Sequence, residues 1–185
     1  MEETSPTTLH EYWVNDDKEV SPTAPSKLYI YSAPQVAKGP PIILGKAADL
    51  KDKKWIYVST GKINSLGTDA VGICTTGQFS CYCVIVALLD DTGTSVTSAY
   101  FTHSSYWDHD CIKEIATKVD SNALVVIAAR ASMKDRMENI KAKMQPKNPK
   151  LIHMYYGVSY DKFGFGIGRD GLIGQVVGDE KWQSD

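Results

Sequence analysis

Cys81 and His103 are the residues of this 185-residue chain whose types and placement best suit them to chemistry. A thiol attacks as its thiolate, and an imidazole that accepts the proton and stays nearby as imidazolium favours that form. The two residues are far apart in sequence, but a hairpin brings them together. Residues 82–89 and 94–102 are β-rich runs separated by Asp91, Thr92 and Gly93. A three-residue hairpin loop takes a type I turn followed by a residue at positive φ, which Gly93 supplies without steric cost. That closure puts Asp90 opposite Thr94, Cys81 opposite His103 and Cys83 opposite Phe101. Directly opposed residues share a face, with Cβ atoms about 5 Å apart. The spacing thus predicts a nucleophile beside its base. Backbone N–H groups at Gln78, Phe79 and Ser80, in the turn entering the strand, are the natural donors to an oxyanion formed at Cys81. The competing reading of the same residues is a small buried cysteine and a strand-end histidine in a catalytically silent binding module.

The segment Thr75-Thr76-Gly77-Gln78-Phe79-Ser80-Cys81, followed across the hairpin by Tyr100-Phe101-Thr102-His103, resembles a known family. A Thr six positions before a Cys at a strand start, then a hairpin ending in His, is similar to the cysteine-dependent glutamine deamidases. These include the bacterial chemoreceptor deamidase, the catalytic domain of cytotoxic necrotizing factor and the Burkholderia lethal factor. The resemblance covers residues 71–103 at the level of the motif. It departs in two respects: Ser80 stands where the toxins' Leu-Ser-Gly-Cys signature has Gly, and the gap from Cys to His is longer. A longer hairpin absorbs the second difference without moving its base.

The resemblance implies a site of Cys81, His103 and Thr75, with the Thr hydroxyl organising the His and Thr76 its nearest rival for that role. It implies a protein substrate presenting a glutamine side chain, converted to glutamate through a thioester, or transamidated where an amine arrives before water. It also implies a bacterial toxin or effector acting on a host cytosolic protein. Another Cys-His amidase or peptidase would share the same nucleophile and base.

The elements that must position these residues read as a single domain over residues 28–185, preceded by an extended or poorly ordered arm at 1–27 that carries three of the eight prolines. Short β-branched or aromatic runs at 28–31, 42–44, 55–58 and 70–75 are expected strands. Residues 82–89 are apolar on both alternating sets, as in a strand buried on both faces. Asp108 or Asp110 can cap a helix reaching Val119 with Ile112, Ile115, Ala116 and Val119 inward. Residues 123–129 read as a buried strand. Ser132 opens a second helix with Met133, Met137, Ile140 and Met144 inward, ended by Pro146. Residues 151–160, 163–169 and 172–177 read as a closing meander with turns at Asp161-Lys162 and Asp170-Gly171. The predicted fold is α+β: a mixed, largely antiparallel β-sandwich with helices packed on one face, the form of the deamidase toxins.

The remaining features exclude more than they add. A formal net charge of -2 supplies no positive field for general nucleic-acid binding. No apolar run approaches the roughly 20 residues of a membrane span. The first residues lack the basic start and apolar core of a secretory signal, so a cytosolic protein, or one exported without a cleaved signal, is expected. The cysteines Cys74, Cys81, Cys83 and Cys111 read as free thiols. A zinc site from Cys74, Cys81, Cys83 and His103 lacks the paired spacing of structural ligands, so neither metal nor cofactor is expected. Cys83 as an alternative nucleophile, His109 as an alternative base, and His153 and His10 are weaker candidates. Gly164, Gly166 and Gly168 lack a phosphate loop's strand-turn-helix setting and mark a close approach of another layer. Residues 134–150 carry six basic and two acidic side chains, a solvated helix face or a contact for an acidic partner.

Overall fold

The computed structural model describes residues 7–13, 42–46, 50, 53–76, 81–92, 95–105, 109–129, 133–156 and 163–177. Its elements are β1 (Thr8–Trp13), β2 (Ile42–Lys46), β3 (Trp55–Tyr57), β4 (Lys62–Ser65), β5 (Gly72–Thr75), β6 (Tyr82–Leu89) and β7 (Val96–Ser104), followed by α1 (His109–Ala116), β8 (Ala123–Ala129), α2 (Lys134–Met144), β9 (Leu151–Tyr156), β10 (Phe163–Gly168) and β11 (Ile173–Val177). The content is mixed α+β, mostly strands, in two sheets with two helices. One sheet runs β1-β9-β8-β6-β7-β4 and the other β2-β11-β10-β5-β3.

The apolar character of β6 on both alternating sets has a direct structural counterpart. Cys83, Ile85 and Ala87 join Phe101, Val126, Ala128 and Tyr155 in one cluster with Ile73, Phe165, Ile167 and Ile173 of the second sheet. Tyr82, Val84 and Val86 point the other way, into a cluster with Ile112 and Ile115 of α1, Val119, and Met137, Ile140 and Met144 of α2. The 3.6-residue spacing of those helix residues turns one apolar stripe toward the sheet. Fully burying each such aliphatic side chain contributes about 1.5–3 kcal/mol. The strands that carry the candidate site are therefore held from both sides.

Several expectations are revised. Residues 151–177 do not form a meander: β9 pairs in parallel with β8, while β10 and β11 form an antiparallel hairpin in the other sheet. The helix α2 between β8 and β9 explains this, since a helical crossover joins parallel neighbours. Among the described strands, five pairings are antiparallel and four parallel, so the sheets are more mixed than expected. Within the segment read as an arm, Thr8–Trp13 forms β1, an edge strand parallel to β9. Strand β4 carries no alternating signal because it too is an edge, with Lys62, Asn64 and Ser65 exposed. The expected strand at 28–31, the turn at Asp161-Lys162 and Asp108 lie outside the described residues. At the other expected turn, Gly171 has φ 86° and its N–H donates to the Gly168 carbonyl.

Gly164 and Gly166 of β10 do mark a close approach, but by a neighbouring strand rather than by another layer, while Gly168 faces the Asp170 carboxylate of the turn that follows. A Cβ at Gly166 would lie 2.6 Å from the Cys74 Cβ on β5.

Pairing of β1 with β9 sets His10 beside His153, their rings stacked with centroids 5.1 Å apart. Burial, and secondarily the charge of His10, push the His153 imidazole down from 6.5 to about 3. Between those values the unfolded chain binds the proton and the folded chain does not, so stability rises with pH across that window. Acidification from pH 7 to pH 5 should therefore cost about 2 kcal/mol of unfolding free energy through His153. Urea titration at both pH values measures it. His153→Leu should flatten the dependence, and an equal slope in that variant would contradict the assignment.

Candidate functional site

His103 lies near the end of β7, and its backbone is held on both flanks. Cys83 is its partner across β6 and Lys62 its partner across β4, and the Gly61 N–H donates to the His103 carbonyl at 2.7 Å. The imidazole is 1% exposed. Thr75, the last residue of β5 and itself fully buried, reaches it from the second sheet: Thr75 Oγ1 and His103 Nδ1 are 2.6 Å apart.

The same hydroxyl decides the tautomer. Thr75 Oγ1 donates its single proton to the Val58 carbonyl at 2.7 Å. It can only accept from His103, so Nδ1 carries a proton, and in the neutral ring Nε2 carries the lone pair. That is the neutral form a general base requires. Thr76 is engaged elsewhere, its hydroxyl 3.1 Å from that of Tyr57. Of the two threonines the sequence left open, Thr75 is the one bonded to the imidazole.

The hairpin register differs from the expected one. The Asp90 N–H donates to the Ser95 carbonyl, so the loop closes one residue later than a three-residue turn would. A further irregularity between Leu88 and Leu89 adds a second step, and Cys83 rather than Cys81 stands opposite His103. The physical cause is a longer loop with an Asp90 carboxylate that caps it, accepting from Thr92 Oγ1 at 2.9 Å and Ser95 Oγ at 2.7 Å. Gly93 itself lies outside the described residues. A shift of two residues preserves the face of every side chain, where a shift of one would invert it. Cys81 lies just before β6, two residues along the chain from the Cys83 that pairs with His103.

Burial separates the thiols. Cys74 and Cys83 are buried, whereas Cys81 and Cys111 are half-buried. Burial pushes the Cys83 thiol well up, and the nearby charges of Cys81 and Cys74 push it further. The Cys74 thiol is raised by burial as well. A buried, raised thiol is an inert one. Cys111 belongs to α1, where its Sγ donates to the Gly61 carbonyl at 3.5 Å. Cys81 is thus the half-buried thiol nearest in sequence to the Cys83–His103 pair. His153 and His10 form the separate stacked pair described above. His109 opens α1. Gln78, Phe79 and Ser80 lie outside the described residues.

Sequence reasoning missed Val58, the carbonyl that fixes the Thr75 hydroxyl, and Tyr57, which occupies Thr76. The signal was present only as the 55–58 strand, because nothing in a backbone carbonyl's own residue type announces its role. Neither a protein-family model nor a curated protein matches this chain.

Replacing Thr75 by Val keeps shape but leaves the buried Nδ1–H without its acceptor, a loss of about 1–3 kcal/mol. Nitrogen NMR of labelled histidine should show His103 as the Nδ1–H tautomer in the wild type and in Thr75→Ser, and a mixture in Thr75→Val. A wild-type pattern in Thr75→Val would contradict the bonding described.

Proposed function

We propose that this protein is a cysteine-dependent glutamine deamidase acting on the side-chain carboxamide of a target protein. The observation that carries the reading is the chain Val58 carbonyl, Thr75 hydroxyl, His103 Nδ1, which in the neutral ring leaves Nε2 with the lone pair a general base needs. His103 Nε2 takes the Cys81 proton, and the thiolate adds to the carboxamide carbon of glutamine. The tetrahedral oxyanion meets the backbone N–H groups proposed at Gln78, Phe79 and Ser80. Collapse breaks the C–N bond, His103 gives its proton to the nitrogen, and ammonia leaves. Water then loses a proton to Nε2 and adds to the thioester, the C–S bond breaks, and glutamate and the Cys81 thiol are restored. An amine in place of water would give transamidation by the same steps.

The resemblance noted in the sequence supports the substrate class, and with it the wider reading: a deamidase-toxin-like α/β sandwich, a toxin or effector active on a host cytosolic protein. The two sheets with a shared apolar cluster and helices on the outer face of one are compatible with that architecture. Among the described residues no helix is long and apolar enough to cross a membrane.

Incubation with eukaryotic cytosolic extract, followed by peptide mass spectrometry, tests the proposal. A glutamine in one or a few proteins should gain about 1 Da, and Cys81→Ser and His103→Ala should each slow this by at least about a hundredfold. Cys83→Ala should remain active. Deamidation that persists in Cys81→Ser, or that depends on Cys83 instead, would overturn the assignment.

A further inference from the structure

Strand β10 has a part in the site that its glycines alone do not announce. It lies next to β5, with Phe165 opposite Thr75 and Gly166 opposite Cys74. A Cβ built at Gly164 would overlap the Thr75 carbonyl oxygen and come within 2.7 Å of the Thr75 carbonyl carbon and the Thr76 Cα. All of those atoms are backbone, so no side-chain rotation relieves the collision. Something must move, and the surroundings determine what.

Strand β5 has little room on its far flank. It is bounded there by β3, through the Val58 N–H to the Cys74 carbonyl at 2.9 Å and the Tyr57–Thr76 hydroxyl pair. Strand β10 is held as well. The Phe165 ring is fully buried between the sheets and packs against Tyr155, with centroids 5.4 Å apart and planes tilted by 50°. Thr75 is therefore gripped between Val58, just past β3, which supplies the acceptor for its hydroxyl, and a bare backbone at Gly164.

We infer that β10 is a positioning strap for the site: Gly164 is the contact point that sets the Thr75 backbone, and Phe165 anchored on Tyr155 holds the strap in place. Through Thr75 the strap fixes the ring orientation and tautomer of His103, so Gly164 acts on the chemistry without touching substrate. This inference rests on the proposed deamidase reading only for its catalytic consequence. The geometric part stands on the backbone contact.

The test compares Gly164→Ala with Gly72→Ala. The second crowds the other end of β5, where a Cβ meets the Trp55 ring instead of the Thr75 backbone. Both should lower the melting temperature. Gly164→Ala alone should move the two His103 ring nitrogens toward a tautomer mixture in nitrogen NMR, and should slow iodoacetamide labelling of Cys81 near pH 6 by about tenfold. A folded Gly164→Ala protein with the wild-type His103 signature would overturn the proposal, as would an equal change in Gly72→Ala. If Gly164→Ala does not fold, Phe165→Leu serves as the second variant. It removes the anchoring ring without a collision and must give the same His103 change, and a native signature there also overturns the proposal. An altered His103 signature in Gly164→Ala, with Cys81 inert in the wild type as well, would leave the strap standing and remove the deamidase reading.

Discussion

One hydrogen bond joins the two sheets at the point where chemistry is possible: Thr75 on one sheet to His103 on the other. Its direction follows from counting protons, because the Thr75 hydroxyl has already given its own to Val58. The three groups come from three different parts of the chain, the ends of β3, β5 and β7. None is exposed enough for water to substitute for a missing partner. A buried imidazole in a single tautomer and a single orientation is expensive to hold by side-chain packing alone, and a short polar chain that ends on a backbone carbonyl does so with few atoms. Two apolar clusters, one shared by strands of both sheets and one joining the longer sheet to the helices, hold these strand ends in place.

The same burial that fixes His103 sorts the cysteines. Cys83 stands directly opposite the imidazole and would be the natural nucleophile on register alone. Yet it lies fully inside the apolar cluster, where a thiolate has no solvation and two neighbouring thiols oppose a negative charge. Cys81, one step outside β6, is only half-buried.

Much of this could be read from the sequence, and the limits are physical. The two-faced apolar pattern of residues 82–89 and 123–129 marked the central strands, and the inward residues of both helices followed from their spacing, although the first helix ends at Ala116, short of Val119, and Met133 precedes the second. The shared face of Cys83 and His103 survived a wrong register because the displacement was even. The register itself failed because the Asp90 carboxylate bonds to Thr92 and Ser95 and stabilises a longer loop, a tertiary choice that a Gly at the third position does not reveal. The partition of the last three strands between two sheets was illegible for a similar reason. Alternation says that a strand has two faces, but it does not say which neighbour lies beside it. The role of Thr75 rested on resemblance alone, since no sequence pattern identifies the carbonyl of Val58 as its acceptor.

The central claim is that His103 activates Cys81, and brief iodoacetamide exposure across a range of pH, followed by peptide mapping of all four cysteines, addresses it without knowledge of a substrate. The account predicts that Cys81 is labelled first and remains reactive near pH 6, well below the usual thiol range, and that His103→Ala removes that low-pH reactivity while Cys74 and Cys83 stay unlabelled in both proteins. Slow labelling of Cys81 with an ordinary thiol pH profile, unchanged by His103→Ala, would contradict it and leave the fold as a binding module.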